Sequence, residues 1–518
     1  MVPVELVDAV LEETRTRERR LRDLPSRVGV YFVLALGLFE HLGAGLVWQK
    51  LVAGLEETAP RPSEKALRDL RRRIGARPLE QLFAVLAGPL GQPSTPGVCY
   101  RRWRTVAFDG CSSLSAPDHE RNRSWLGRFT SRFGTNSYPR VMLMALCETG
   151  TRGLIGAVFG PAAEGELAYA KRLVGHLAPD MLLLADRGFD SNGLLAEVAG
   201  RGTQFLVRSK SSRRPPVLVM LPDHSYLSRI GSLAVRVIEA DILVRGTDGS
   251  RTTGTYRLLT TLTDHRTDPA TTLVRLYHER WEIECAFLAL RHTLLKGRVL
   301  RSKDPAGITQ ELWGLLALYQ ALRSVMVTAA ETQGLDPDRA GFTIALEAAR
   351  DTVIRVSGLS PEPGPDGRPD LAGHIGAAVL LQPLPARRPR ISARIVKRGI
   401  SRYHTWNHDG RPLDSTPIAA IDITVRPPAL PTDTAPSRPR APDRQDRWTQ
   451  VSQVMAADVH RTWQAKEIAH ALGVTGQKSV NSLSTQLGYW ARGGRLVRTA
   501  PSTYKITIPT TLTTTTSP

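Results

Sequence analysis

The chain has 518 residues, and at roughly 150 residues per domain that length implies three or four domains. Its 42% apolar and 23% charged content is that of folded globular protein and excludes a mostly disordered chain. Lysine and arginine outnumber aspartate and glutamate 69 to 49, a net charge of +20 with an isoelectric point near 10.3. Such an excess favours a polyanionic partner, and nucleic acid is the commonest. Codon bias would exchange lysine for arginine, but it would not remove carboxylates. Four cysteines (Cys99, Cys111, Cys147, Cys285) lack any CxxC spacing, so no disulfide scaffold or zinc module is expected, and a reducing cytoplasm suits them. The longest apolar run, Val28 to Phe39, has 12 residues and is too short to span a bilayer. The acidic start (Glu5, Asp8, Glu12, Glu13) is unlike a signal peptide. A cytoplasmic, nucleoid-associated protein with no membrane partner is the expectation.

Residues 1–98 read as helical. The apolar helix 28–39 is followed by Pro62-Ser63-Glu64, a helix-entry signal, and by Ala66, Leu67 and Leu70 on one face. Between Arg61 and Arg77 there are seven basic residues and two acidic ones. Lys65, Arg68 and Arg72 are therefore candidate DNA contacts, against the plainer reading of a solvated helix face. Gly88 to Gly97 reads as a linker. From residue 105 the period changes. Short apolar strands are expected at 105–109, 141–147, 154–159, 181–185 and 204–208, with helices at 166–177 and 193–199 between them. Residues 209–268 alternate as a β-rich insertion, and helices follow at about 270–295 and 308–331. This order argues for an α/β fold around one mixed sheet over residues 99–335.

Residues 336–442 read as a basic, proline-rich connector. Arg387 to Arg402 carries seven basic residues and no acidic one, and Pro427 to Pro442 carries six prolines in sixteen residues. Residues 443–508 read as a separate winged helix-turn-helix, with helices near 448–460, 465–472 and 478–492 and a hairpin around Pro501. Lys478, Ser482, Thr485 and Gln486 point away from the apolar face of the third helix and are its candidate base readers. The bland alternative is a protein-binding module. Residues 509–518 read as a disordered tail.

Two carboxylates stand at the ends of apolar strands: Asp109 before Gly110, and Asp186 in Asp186-Arg187-Gly188. Ligands in open α/β sheets bind at such strand ends. If the two strands are adjacent and parallel, both carboxylates face one point. Like charges that close are stable mainly with a cation or a shared proton between them. Further on, Tyr277, Arg280, Glu284 and Arg291 fall on one helical stripe. A phenol, two guanidinium groups and a carboxylate do not belong in an apolar core; they suit a metal beside a phosphate backbone. Glu279 and Glu282 lie off the stripe and are expected to be solvated.

These residues resemble the signature of the insertion sequence 4 family of DDE transposases: Asp, then Asp-Arg-Gly, then Tyr-(2)-Arg-(3)-Glu-(6)-Lys. The match is at Asp109, Asp186, Tyr277, Arg280 and Glu284, with Arg291 where the family has Lys. The N-terminal helical stretch and Ile391 to Arg398 resemble actinobacterial members. The resemblance implies an RNase H-like catalytic domain interrupted by a β-rich insertion. It further implies that Asp109, Asp186 and Glu284 are catalytic and hold two Mg²⁺ ions (Mn²⁺ being an alternative). Tyr277, Arg280 and Arg291 would contact DNA, and a homodimer would join the double-stranded element ends before attacking the target. The expected activity is cut-and-paste transposition of the chain's own insertion sequence, by phosphodiester cleavage and strand transfer at terminal inverted repeats. The alternative is a DNA-binding regulator or a domesticated remnant without catalysis. The insertion contains no Trp, and the C-terminal module is an addition to the family pattern.

Overall fold

The computed structural model describes residues 2–355, 371–386, 418–428 and 444–506, apart from 19, 21, 54–60, 129, 132, 133, 136, 137, 248 and 475. The basic run 387–402, including the stretch Ile391 to Arg398, lies outside the described residues, as do residues 429–443 and the threonine-rich tail. The chain divides into two compact units, residues 1–428 and 429–518.

Five helices open the first unit: Val4–Glu13, Ser26–Leu38, Ala44–Val52, Glu64–Ile74 and Arg77–Leu86. Ser26–Leu38 is apolar all round because it is buried all round, with ten of its thirteen residues enclosed. The basic helix starts where Ser63 Oγ accepts the Ala66 amide at 3.2 Å, an N-cap that satisfies one orphan donor. Leu67, Leu70 and Ile74 are its buried face, and Leu70 and Ile74 close on Gly29 of the apolar helix.

These helices share one hydrophobic core with the long helix Pro305–Thr332. That helix is capped by Asp304, whose carboxylate accepts the Gly307 amide at 2.9 Å, and has Pro305 in its first turn. It is long and apolar enough to cross a membrane, but 78% of its apolar window is buried inside the protein. Polar ties fasten it and the segment before it to the N-terminal helices. The Arg301 guanidinium donates to the carbonyls of Phe39 (3.0 Å) and Leu42 (2.6 Å), just beyond the C-terminal end of Ser26–Leu38. Arg71 donates to Gln310 (2.9 Å) and Ser302 (3.0 Å). The expected linker 88–97 is packed down as well: Leu90 and Gly91 donate their amides to the buried carboxylate of Glu148.

The main sheet of this unit has eleven strands among the described residues. Its central path runs Leu154–Pro161, Arg140–Glu148, Trp103–Ser115, Met181–Ala185, Gln204–Arg208, Arg251–Thr260, Leu233–Gly246, Tyr226–Ile230 and Val219–Met220. Met181–Ala185 is parallel to both of its neighbours, and the other pairings are antiparallel. The β-rich insertion therefore extends the same sheet: Leu258 to Thr260 pair with Leu206 to Arg208. A strand from the expected connector, Ile418–Arg426, also joins by pairing with Leu233–Gly246. Helices Phe342–Arg355 and Leu371–Leu381, not anticipated from the sequence, pack near the long helix.

The expected continuous helix 270–295 is broken. It runs as α-helix Ala270–Tyr277, 3₁₀ turn His278–Trp281, α-helix Glu282–Leu288 and π-helix Ala289–Leu294. The second unit holds helices Arg444–Ala456, Ala465–Ala471 and Gln477–Arg492 and a three-stranded sheet of Trp463–Gln464, Thr503–Ile506 and Leu496–Ala500. Its core is built from Val451, Met455, Ile468, Leu483, Leu487, Trp490 and Tyr504.

Leu70 is fully buried, so Leu70→Ala is expected to destabilise the first unit by about 2–5 kcal/mol, the usual cost of a core truncation with its cavity. Arg68→Ala, on the exposed face of the same helix, is expected to stay within about 0.5 kcal/mol of the parent. Thermal denaturation of the two variants checks both.

Candidate active site

The parallel pairing of Trp103–Ser115 with Met181–Ala185 sets Arg104 opposite Met181 and Ala107 opposite Leu184. Two residues beyond that last pair stand Asp109, still within its strand, and Asp186, the first residue past its own, which brings the two carboxylates near each other. Asp109 Oδ1 accepts the Gly110 amide at 2.8 Å, and Asp186 Oδ1 accepts the Gly188 amide at 2.6 Å as the chain leaves the strand in a 3₁₀ turn. Glu284 comes from the short helix Glu282–Leu288, and Arg280 from the 3₁₀ turn before it. Arg280 Nη2 donates to Glu284 Oε1 at 3.0 Å, and Nη1 lies 3.5 Å from Asp109 Oδ2. The guanidinium thus straddles two of the three expected catalytic carboxylates.

Electrostatics follow from this crowding. Burial raises the Asp109 pKa from 3.8 to about 7; Arg280 opposes the rise, while Glu284 and Asp186 add to it. Burial pulls the Arg280 guanidinium down, but Tyr277, Asp109 and Glu284 more than offset this and hold it charged. Burial pushes the Tyr277 phenol well up, with the charge of Asp186 adding to the effect.

Tyr277 is only 5% exposed and packs edge-on against Tyr256, ring centroids 5.9 Å apart, while Arg208 lies over the Tyr256 ring at 4.4 Å. Neither Tyr277 nor Arg280 offers a free surface to DNA in this conformation. Both lie inside the protein, Arg280 against Asp109 and Glu284 and Tyr277 against Tyr256. Arg291 departs further. The 3₁₀ turn overwinds the chain and the π-helix underwinds it, and among the described residues Arg291 makes no ion pair with Asp109, Asp186 or Glu284. Arg291 is half-buried and pairs with His292 Nε2 at 2.8 Å. The cation beside the carboxylates is Arg280.

A fourth carboxylate was not anticipated. Glu166 opens the helix after Leu154–Pro161. A Cβ on Gly110 would lie 3.1 Å from Glu166 Oε1. One on Gly188 would lie 2.9 Å from Asp186 Oδ1 and 3.5 Å from Glu166 Oε2. The glycines after Asp109 and Asp186 thus leave room for carboxylates that side chains would crowd. Burial raises the Glu166 pKa, Asp186 adds to it, and among the described residues no cation pairs with Glu166. In sequence, Glu166 looks like any acidic residue in a first helical turn, so no pattern singles it out.

Asp109, Asp186, Glu284 and Glu166 are hard oxygen donors, with the guanidinium of Arg280 paired to two of them, a donor set that suits a divalent cation. The closed metal cage expected of Asp109, Asp186 and Glu284 is, however, not assembled. Among the described residues no three acidic, histidine or cysteine side chains meet around one point. The physical reason is visible in the contacts: with like charges facing one another, Arg280 takes the position between Asp109 and Glu284.

Elsewhere, Lys65, Arg68 and Arg72 are exposed on their helix, and Arg72 has Asp69 at 3.7 Å. Ser482 and Thr485 are exposed and Gln486 is half-buried on Gln477–Arg492. The side chain of Lys478 lies outside the described residues. Tyr226, an aromatic of the insertion, is 2% exposed and contacts Glu239 at 3.4 Å, enclosed within the sheet.

A carboxyl whose folded pKa is raised holds its proton longer in the folded state than in the unfolded one. Metal-free protein therefore loses stability as pH rises from about 4 to about 7 through the ionisation of Asp109. In chelator, Asp109→Asn is expected to raise the melting temperature at pH 8 and to change it much less at pH 4. Thermal melts at the two pH values check this.

Comparisons with known proteins bear on the family. The family model described as insertion element 4 transposase N-terminal matches residues 1–84, and the transposase DDE domain matches residues 107–320. Transposase InsG for insertion sequence element IS4, from Escherichia coli (strain K12), is 27% identical over 425 residues, spanning 80% of this chain and 93% of that protein. Putative transposase InsZ from the same organism is 28% identical over 141 residues, 27% of this chain and 47% of that protein. Among solved structures, a piggyBac transposase synaptic complex with hairpin DNA aligns over 78% of this chain and 86% of that one, at 12% identity and a TM-score of 0.36. With both domains matched in order and a relative spanning nearly its own full length, the chain belongs to the insertion sequence 4 family of DDE transposases, DNA-cleaving enzymes that depend on a divalent metal.

Proposed function

We propose that this transposase moves its own insertion sequence by cut-and-paste, cleaving at terminal inverted repeats and joining the freed ends to target DNA. The observation that carries the reading is the placement of Asp109 and Asp186 near each other by adjacent parallel strands, with Arg280 tying Asp109 to Glu284. The mixed sheet, with Asp109 inside a central strand and Asp186 just past the end of its parallel neighbour, supports an RNase H-like catalytic domain.

In this reading Asp109, Asp186 and Glu284 hold two Mg²⁺ ions, with Mn²⁺ able to substitute. Bound there, the ions would supply a polarised water or 3′-hydroxyl and stabilise the departing oxygen. The chain does the rest. Arg280 keeps Asp109 and Glu284 from splaying apart, and Gly110 and Gly188 leave space for the carboxylates. Tyr277 closes the inner wall with Tyr256. Each step exchanges one phosphodiester for another bond at phosphorus, so no nucleotide cofactor is required.

Besides the scissile phosphate at the carboxylates, two further surfaces are assigned to DNA. Lys65, Arg68 and Arg72 suit phosphate contacts, which position the duplex without reading it. We read residues 444–506 as a winged helix-turn-helix, with Gln477–Arg492 as the helix that enters the major groove and Lys478, Ser482, Thr485 and Gln486 as its readers. Joining two element ends calls for a homodimer, working at the nucleoid in the cytoplasm.

Purified protein is expected to nick linear DNA carrying the inverted repeats that flank its reading frame, in Mg²⁺ and without ATP. Asp109→Asn is expected to abolish cleavage while leaving end binding intact, read by gel shift beside a cleavage assay. Cleavage retained in that variant removes the assignment, and binding without breakage in the parent, under any divalent ion, favours the regulator instead. A second prediction separates the two DNA surfaces. Lys65→Ala with Arg68→Ala and Arg72→Ala is expected to flatten the log–log dependence of affinity on salt by about 0.9 for each phosphate no longer neutralised. Ser482→Ala with Thr485→Ala is expected instead to cost about 1–3 kcal/mol of end specificity per base read. Binding titrations over a salt series check both.

A further inference from the structure

Glu282, two residues before Glu284, was expected to be solvated. It is 1% exposed, and its carboxylate is held by Arg152 Nε at 2.6 Å. Arg152 is itself 6% exposed and also ion-pairs with Asp338, which is 1% exposed. Arg152 belongs to the turn between strands Arg140–Glu148 and Leu154–Pro161 and adopts a left-handed backbone, φ 62°, a conformation uncommon for a side-chain-bearing residue. Its carbonyl accepts the Tyr319 hydroxyl at 2.8 Å, and that hydroxyl in turn accepts from Arg323 Nε at 3.1 Å. One buried guanidinium thus joins the sheet, the helix bearing Glu284 and the 3₁₀ turn Pro337–Arg339, while the long helix holds its backbone.

The segment around Glu284 needs such an anchor. Glu282–Leu288 is only seven residues long, with a 3₁₀ turn before it and a π-helix after it. These segments differ in residues per turn, so regular backbone hydrogen bonding does not by itself set the rotation of the short helix. Side chains two apart on an α-helix point about 200° apart. Fixing Glu282 on the inner side therefore fixes the direction in which Glu284 leaves the outer side.

We infer that Arg152 is a positioning residue for the transposition site: through Glu282 it sets the rotational phase of the helix that presents Glu284 to Asp109. Asp338 pairs with Arg152 Nη2, whereas Glu282 takes Nε. The inference rests on the reading of Glu284 as a metal-binding acid.

The test uses the full chain and compares Glu282→Gln with Asp338→Asn. Each removes one carboxylate charge from Arg152, but only the first loosens the helix of Glu284. Both are expected to melt at lower temperature and to bind inverted-repeat DNA as the parent does. Only Glu282→Gln is expected to lose cleavage, by about 100-fold, the scale of a misplacement near 1 Å. Only Glu282→Gln is expected to raise the Mn²⁺ concentration for half-saturation, titrated by electron paramagnetic resonance without DNA. Equal cleavage by the two variants, corrected for folded fraction, or an unmoved Mn²⁺ titration in Glu282→Gln, overturns the inference. If Glu282→Gln does not fold, Glu282→Asp keeps the charge while shortening its reach, and the same split from Asp338→Asn is expected. Glu284→Gln separates the two readings. Cleavage surviving in Glu284→Gln removes the acid assignment, whereas a dead Glu284→Gln beside a fully active Glu282→Gln removes only the positioning role.

Discussion

The pairing of two parallel strands governs this site. Because Ala107 faces Leu184 in register, the aspartates two positions on stand side by side, and everything nearby answers the repulsion that results. Arg280 lies between Asp109 and Glu284, Asp109 holds its proton toward neutrality, and glycines follow both aspartates where a Cβ would meet a carboxylate or its carbon chain. Like charges in a partly desolvated place are costly unless a cation joins them. Arg280 supplies that joining charge between Asp109 and Glu284.

Around that pair, the first unit is built to resist deformation. The N-terminal helices, the basic helix among them, share one core with Pro305–Thr332, and Arg301 and Arg71 fasten them by hydrogen bonds to carbonyls and polar side chains. The insertion continues the catalytic sheet through Arg251–Thr260 and receives a strand from residues 418–426. The segment 278–294, next to the acids, combines 3₁₀, α and π geometry, and irregular turns of this kind recur in functional sites. A buried ion pair from Arg152 lies under that irregular segment. Buried pairs are a weak source of net stability, since desolvation offsets their attraction, so the value of this one lies in where it holds the helix.

The local elements and the chemical alphabet were legible in the residues themselves. Strands at 181–185 and 204–208 are continuous apolar runs, and Asp109 and Asp186 announce themselves as lone charges ending such runs. Tyr277, Arg280 and Glu284 stand out as polar residues at core spacing. Much else was not legible. Glu282 reads as a surface acid, because its partner Arg152 lies 130 residues away in a turn that no periodicity marks. Glu166 reads as a first-turn acid, and its closeness to Asp186 exists only once the strand Leu154–Pro161 is placed. Arg291 was assigned to a stripe that presumes an unbroken α-helix, whereas the segment passes through 3₁₀ and π geometry before reaching it.

The sequence by itself determined which segments become strands and helices, where the lone carboxylates fall, and the basic balance that fits a nucleic-acid partner, because these depend on side-chain type and short spacing. Only the tertiary structure decided which carboxylates meet, which guanidinium stands between them, and which acid is an internal anchor. Those outcomes depend on strand register and on the rotation of a short helix. Both are set by contacts between residues far apart along the chain, which compete for the same buried space and charge.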